Sequence, residues 1–397
     1  MNAAQDSQWM ARALRLAERG LYSASPNPRV GCVLVKGDAV AGEGWHQRAG
    51  EPHAEVHALR AAGDAARGAT AYVTLEPCSH HGRTPPCAEA LIEAGVARVV
   101  VAAQDPNPQV AGAGMARLRA AGIAVDCGLM EAAAHDLNIG FFARMARGTP
   151  WLRSKIAMSL DGRTALNNGK SQWITGAAAR RDVQHWRARS CAVLTGINTV
   201  LADDARLNVR EIEGAARTRW GEALGCGKGG QAADCVPKVL DELGAAAVRQ
   251  PLRVVLDSQL RMPLDARVLY GGGSALIYTA SEDGGKSAAL RDFGAEVVML
   301  PDAAGRVDLV AMLRDLARRG CNELLVEAGS TLNGALLRAG LVDELLLYLA
   351  PQLLGDAARG VAQLGELTSL EQRVNLKWRD VRQVGEDLRI LARVEKE

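Results

Sequence analysis

The 397 residues carry 47 basic and 45 acidic side chains for a net charge of +2, so the chain as a whole offers no electrostatic reason to bind nucleic acid or a membrane surface. Apolar residues make up 48% and aromatics only 4%, ample for two packed cores but poor in the aromatic platforms of an RNA-binding enzyme. No apolar run reaches the roughly 18 residues of a membrane span, Met1 to Ser7 do not read as a secretory signal, and eight cysteines in so long a chain make no disulfide scaffold, so a cytoplasmic protein is expected.

Over residues 7–19, Trp9 or Met10 with Ala13, Leu14 and Ala17 recur at helical spacing behind Ser7 as candidate cap, which predicts an amphipathic helix. Ser25-Pro26-Asn27-Pro28-Arg29-Val30-Gly31 is a proline-locked turn. It leads into a strand over 30–35 and, across Lys36-Gly37-Asp38, a second over 40–45. Asn27 reads equally well as a turn former and as a donor and acceptor for a ligand. A helix follows from His53 to about Gly63.

That helix opens with His53-Ala54-Glu55, and Pro77-Cys78 and Cys87 come after it. One imidazole and two thiolates are the three protein ligands of a catalytic zinc, whose fourth position is left to water. Glu55, beside the ligand but not one of them, can carry the proton that amine hydrolysis must deliver to the departing nitrogen. The order H-x-E, then P-C, then C is that of zinc deaminases, although eight residues separate the cysteines here instead of two. The insert is a turn-rich loop, Ser79 to Pro86, after which Pro85-Pro86 opens a helix with Cys87 in its first turn, where unpaired N–H groups favour a thiolate. A structural zinc site offers four ligands and needs no carboxylate beside the histidine, which favours the catalytic reading. Cys226 and Cys235 repeat the eight-residue gap without an H-x-E, so spacing alone proves little. Cys32, Cys127, Cys191 and Cys321 sit in apolar runs and read as small core residues.

Short apolar strands over 71–75, 96–102 and 123–127 then alternate with helices over 87–94, 114–121 and 131–143, a rhythm that implies a sheet with helices on both faces. Arg147-Gly148-Thr149-Pro150 reads as a linker, giving domains over 1–147 and 151–397. The second begins with a strand from Trp151 closed by the Asp161-Gly162 turn. A helix through Arg180, Trp186 and Arg187 and a strand over 192–196 follow, and beyond it Thr199, Asp203, Asp204 and Arg210 fit a site or a solvated loop. Residues 211–250 are glycine- and alanine-rich and read as an insertion. Strands return at 252–256, 275–278, 296–300, 323–326, 344–349 and 388–394, with a helix over 309–318. After the 323–326 strand, Glu327-Ala328-Gly329-Ser330-Thr331 opens a helix whose N–H groups suit a phosphate, a weak signal because the strict G-x-G-x-x-G is absent.

Taken together, Pro26 to Gly31, His53-Ala54-Glu55, Pro77-Cys78 through Cys87, Ser159-Leu160-Asp161-Gly162, Ser171-Gln172-Trp173-Ile174-Thr175, Thr199 to Asp204 and Glu327-Ala328-Gly329 resemble the bifunctional riboflavin-biosynthesis deaminase/reductase family along almost the whole chain. The resemblance implies an α/β protein: a cytidine-deaminase-like three-layer domain, then a dihydrofolate-reductase-like α/β domain. It implies Zn2+ on His53, Cys78 and Cys87 with Glu55 moving the proton, and NADPH lined by Ala157, Trp173, Thr199, Asp203, Ser258 and the turn Gly329, Ser330, Thr331, Leu332, Asn333. A phosphoribosylaminopyrimidine would meet Asn27, His80 and Arg83 in the first domain and Ser171, Arg187, Leu207, Arg210 and Glu327 in the second. Arg187 and Arg210 suit a phosphate as bidentate clamps. Lys155 either faces the same pocket or is a strand-end lysine in solvent. Ala205, where the family more often has proline, and the length of 211–250 are departures. A homo-oligomer without nucleic-acid or membrane partners is expected, and the rival reading is a nucleoside or tRNA-base deaminase fused to an unrelated domain.

Overall fold

A computed structural model describes residues 3–79, 86–108, 110–210, 248–270 and 272–396. Its chain separates into two compact units, the first built on Met1–Gly148, the second on Thr149–Glu213 and Gln250–Glu397.

The first unit runs α1 (Ala3–Glu18), β1 (Gly31–Lys36), β2 (Ala39–Trp45), α2 (Ala54–Ala62), β3 (Thr70–Val73), α3 (Cys87–Glu93), β4 (Arg98–Val101), α4 (Ala113–Ala120), β5 (Ala124–Cys127), α5 (Glu131–Leu137) and α6 (Ile139–Arg147). Its strands lie in the order β2-β1-β3-β4-β5, with β1 antiparallel to both neighbours and β3, β4 and β5 parallel. Alternation along β1 sends Val33 and Val35 to one face, against Met10, Leu14, Leu137 and Phe141. Cys32 and Leu34 go to the other, against Ala54, Ala58, Leu91 and Leu118. The expected three layers follow.

Helix α2 sits unusually low on the sheet. A Cβ added at Gly42 would stand 2.3 Å from the Ala58 carbonyl oxygen, and one at Gly44 2.7 Å from that of Ala54. Both glycines lie on β2 under α2, so helix and strand meet backbone to backbone.

Three expectations need correction in this unit. The helix starts at Ala3, and Ser7 is inside it with its hydroxyl donating to Ala3 O at 2.9 Å, so Ser7 is no cap. The helix expected over 131–143 is two, parted at Asn138, whose side chain is drawn off to Arg29. Cys127 is exposed on the edge strand β5, not a core residue.

The second unit runs β6 (Trp151–Ser159), β7 (Arg163–Ala165), α7 (Ala177–Arg189), β8 (Ala192–Gly196), α8 (Ile197–Asp203), β9 (Leu252–Leu256), β10 (Ala275–Thr279), α9 (Gly284–Asp292), β11 (Ala295–Met299), α10 (Leu309–Arg318), β12 (Glu323–Val326), α11 (Ser330–Arg338), β13 (Glu344–Ala350), β14 (Arg359–Gly360), β15 (Leu376–Val384) and β16 (Asp387–Val394). Nine strands form one sheet in the order β11-β10-β9-β8-β12-β6-β13-β16-β15, parallel from β11 to β13 and antiparallel beyond. The remaining two, β7 and β14, pair with each other. Helix α10 shows how the local signals add up. Asp308 Oδ1 accepts from the N–H groups of Val310 and Ala311 at 2.9 Å each, and Met312, Leu313 and Leu316 at helical spacing bury its inner face. Since β12 lies between β6 and β8, connections leave this point in opposite directions, and the carboxyl ends of these strands are where such a sheet binds ligands.

Candidate active sites

His53 is the N-cap of α2, Cys87 is the first residue of α3, and Cys78 follows β3. His53 Nδ1 lies 3.6 Å from Cys78 Sγ and 3.3 Å from Cys87 Sγ, and one donor atom from each of the three residues falls within 4.8 Å of the others. The Cys78 thiol is pulled down to about 4, first by the Cys87 side chain donating to it, then by His53 and the Cys87 N–H at 3.3 Å. Cys87, hydrogen-bonded to Cys78 and buried, is driven upward. An imidazole and two clustered sulfurs are a donor set that fits Zn2+.

Glu55 is 3% exposed, and its Oε2 has no partner among the described residues. Burial raises its carboxyl to about 7, although the neighbouring His53 works the other way. A carboxyl poised near neutrality can both take and return a proton. It opens on a cavity of about 610 Å³ whose lining includes Asn27, His46, His53, Cys78, Asp105 and Asn107.

Asn27 reaches that wall through two clasps. His46, 2% exposed and kept neutral by burial, has Nδ1 3.2 Å from Pro52 O, which can only accept. Nε2 is therefore the acceptor, and the Asn27 amide NH2 donates to it at 3.1 Å, leaving Oδ1 available to the cavity. Behind the turn, Asn138 accepts from Arg29 N and donates to Arg29 O, both at 2.8 Å, while Arg29 Nη1 donates to Leu137 O. Sequence reasoning missed His46, Asn138, Asp105 and Asn107. His80 and Arg83 lie outside the described residues, as do Cys226 and Cys235.

In the second unit Glu327 follows β12 directly, and Lys155 lies on the neighbouring β6. Arg187, on α7, grips Glu327 with Nε to Oε1 at 2.6 Å and Nη2 to Oε2 at 2.9 Å, and its Nη1 donates to Asn208 O at 2.9 Å. Burial works to raise the Glu327 carboxyl, but the charge and hydrogen bonds of Arg187, with Lys155 and Arg210 adding to them, hold it at about 2. Burial lowers Lys155, opposed by Glu327. Arg187 thus spends its planar fork on a carboxylate within the chain; of the two arginines read as phosphate clamps, only Arg210 has a guanidinium without a hydrogen-bond partner among the described residues, and burial and Arg187 lower it.

Ala157 is on β6, and Thr199 and Asp203 belong to α8, a helix unforeseen where the sequence fitted a site or a solvated loop. Ser258 follows β9, its hydroxyl accepting from Val307 N at 3.1 Å. Ser171 is half-buried, and Trp173 is 66% exposed beneath the Arg180 guanidinium. Leu207 is 1% exposed and packs in the core at φ 55°. Gly329 caps α11 without a side chain, so the N–H groups of Ser330, Thr331 and Leu332 are not closed off by a cap and suit a pyrophosphate. Asn333 turns inward: Ser154 Oγ donates to its Oδ1 at 3.1 Å, and its amide donates to Ala328 O and Val361 O at 3.2 Å.

Two family models match. Residues 3–103 fit the cytidine and deoxycytidylate deaminase zinc-binding region, and residues 150–390 fit the RibD C-terminal domain. The chain is 50% identical to the riboflavin biosynthesis protein RibD of Escherichia coli (strain K12), over 97% of this chain and 98% of that one. The chain belongs to the RibD family. The RibD of Haemophilus influenzae is 45% identical over 98% of this chain and 97% of its own length. Among solved structures, Acinetobacter baumannii RibD matches with a TM-score of 0.87 at 44% identity, covering 100% of both chains. A Thermotoga maritima protein described as a diaminohydroxyphosphoribosylaminopyrimidine deaminase/5-amino-6-(5-phosphoribosylamino)uracil reductase matches at 0.80 and 30% identity, over 98% of this chain and 99% of that one. As a RibD, the chain is a bifunctional enzyme of riboflavin biosynthesis, deaminase and reductase in one, with Zn2+ and NADPH as cofactors and a small-molecule substrate. The rival fusion of a base deaminase to an unrelated domain is not favoured, since the RibD C-terminal domain accounts for 150–390. No described helix is long and apolar enough to cross a membrane.

Proposed function

We propose that residues 1–147 remove the amino group of 2,5-diamino-6-(5-phosphoribosylamino)pyrimidin-4-one and that residues 151–397, with 211–250 as an insertion, reduce the ribosyl group of the deaminated product to ribityl. The observation that carries this reading is the cluster of His53, Cys78 and Cys87 beside a buried Glu55 whose Oε2 has no partner among the described residues, open to one cavity. Zn2+ held by those three would make water a nucleophile at neutral pH. Glu55 receives the proton the water gives up and returns it to the leaving nitrogen, which departs as ammonia. Asn27, oriented by His46, holds the pyrimidine edge with Oδ1 and its remaining N–H, and the resemblance assigns the phosphate to His80 and Arg83.

In the second unit Ala157, Trp173, Thr199, Asp203, Ser258 and the 329–333 turn would hold NADPH, which when bound would supply a hydride, and the first N–H groups of α11 suit its pyrophosphate. Ser171, Leu207 and Arg210 bind the substrate, Arg210 on its phosphate, and Arg187 holds the Glu327 carboxylate ionised toward the ribose. The protein works in the cytoplasm as a homo-oligomer. The test follows ammonia release and loss of NADPH absorbance on one purified, metal-analysed sample. NADPH consumption should require the deaminated compound. Ammonia release by metal-free protein, or NADPH consumption with the undeaminated compound, refutes the reading.

A further inference from the structure

One wall of the deaminase cavity is the chain between β4 and α4, which brings Asp105 and Asn107 to the lining. Its described residues belong to no strand or helix, and their local order is a turn in which Asn107 N donates to Asp105 Oδ1 at 2.8 Å. Such a wall can define a binding edge only if something fixes its distance from the metal ligands.

Glu76 is placed to do so. It stands two residues before Cys78 and is 4% exposed, with its own N–H donating to Ala103 O at 3.0 Å. Its Oε2 accepts from Asp105 N at 3.3 Å and from Gly112 N at 2.9 Å, and its Oε1 accepts from Met115 N at 3.2 Å. Three backbone donors, spread over the wall and the first turn of α4, thus converge on one carboxylate. Hydrogen bonds to an ionised acceptor are roughly twice as strong as neutral ones, and a negative charge suits a helix start. The same helix start presses on the residue between Glu76 and Cys78: a Cβ at Gly114 would lie 1.9 Å from Pro77 O. Both oxygens of Glu76 being occupied, its contribution passes through the wall.

We propose that Glu76 is a positioning residue of the deaminase, whose carboxylate locks the Asp105–Asn107 wall to the segment that carries Cys78 and so sets how tightly the pyrimidine is held. The proposal rests on the deaminase reading above. An amide at this position has one accepting oxygen, so Glu76→Gln must drop at least one of the three donors or turn an N–H toward it.

The test compares wild type, E76Q and Gly112→Ala as full chains, with zinc content, ammonia-release kinetics and NADPH oxidation of the deaminated compound measured on each. Gly112 has φ 79°, so alanine there strains the wall while Glu76 stays intact. Both variants should keep their zinc and their NADPH oxidation and raise the deaminase KM by about tenfold, with kcat reduced by a smaller factor, as a shifted binding wall predicts. An unchanged KM, a loss carried by kcat, or loss of zinc from folded E76Q overturns the proposal. If E76Q does not accumulate, Gly112→Ala decides alone by the same criteria. Absence of ammonia release from wild type would instead remove the deaminase reading itself.

Discussion

Replacing Arg187 by alanine tests the electrostatic core of the reductase unit. In the intact protein Glu327 is buried, and Arg187 brings it from the ordinary 4.5 to about 2, a difference worth about 3 kcal/mol of stability at neutral pH. Because the folded value is depressed, this stabilisation is fully present above the unfolded value, and it is lost as pH falls from about 4.5 toward 2. Arg187→Ala leaves a buried carboxylate with Lys155 and Arg210 as its cationic neighbours and strips Asn208 O of a donor. Breaking a buried pair from one side costs about 3 to 5 kcal/mol. Hydrogen exchange at the amides of Leu324, Leu325 and Val326 reads the opening of β12 directly, without assuming that the whole chain unfolds in one step. The expected result is an opening free energy lower by about 3 kcal/mol or more at pH 7, with the gap to wild type narrowing as the pH falls and Glu327 takes a proton. A loss under about 1 kcal/mol, or a gap that widens on acidification, refutes the reasoning.

Glu55→Gln should retain zinc by metal analysis while ammonia release falls by about 10²-fold or more; wild-type release would exclude Glu55 as the proton carrier. Arg210→Ala should raise the KM for the deaminated phosphoribosylamino compound more than the KM for NADPH, and equal increases would contradict a phosphate contact. Asn138→Ala removes both hydrogen bonds to the Arg29 backbone. It should destabilise the first unit by about 1 to 3 kcal/mol in denaturant unfolding and raise the deaminase KM through Asn27; an unchanged KM would detach Asn138 from the site.

What could be read from residue order was whatever chemistry or periodicity is local. His53 and Glu55 are two residues apart, the cysteines carry their proline signals, and α10 announces its cap and its apolar stripe. Where the deciding partner is distant, the signal vanishes. Asn138 breaks a helix because it serves Arg29, 109 residues earlier, and Arg187 meets Glu327 across 140 residues. Glu76 acts through backbone groups, which no residue type marks, and His46 is set by the Pro52 carbonyl before it meets Asn27. The α8 helix was missed because Asp203 within it and Asp204 at its C-cap read as a site or a solvated loop beyond a strand, and Cys127 looked internal because its strand is apolar enough for a core while lying at the sheet edge. Among the reductase residues the resemblance assigned Arg187 and Glu327 both to the substrate; that each is the other's chief partner follows only from the folded chain.

The bare strand beneath α2 limits how this enzyme can be altered. With Gly42 and Gly44 touching helix backbone, there is no side chain between the layers to shave or enlarge, so the height at which His53 emerges is not adjustable by small repacking changes. Directed evolution toward other amino-heterocycles would therefore find its freedom in the rim segments around Asn27 and Asn107, with the floor left as a fixed datum.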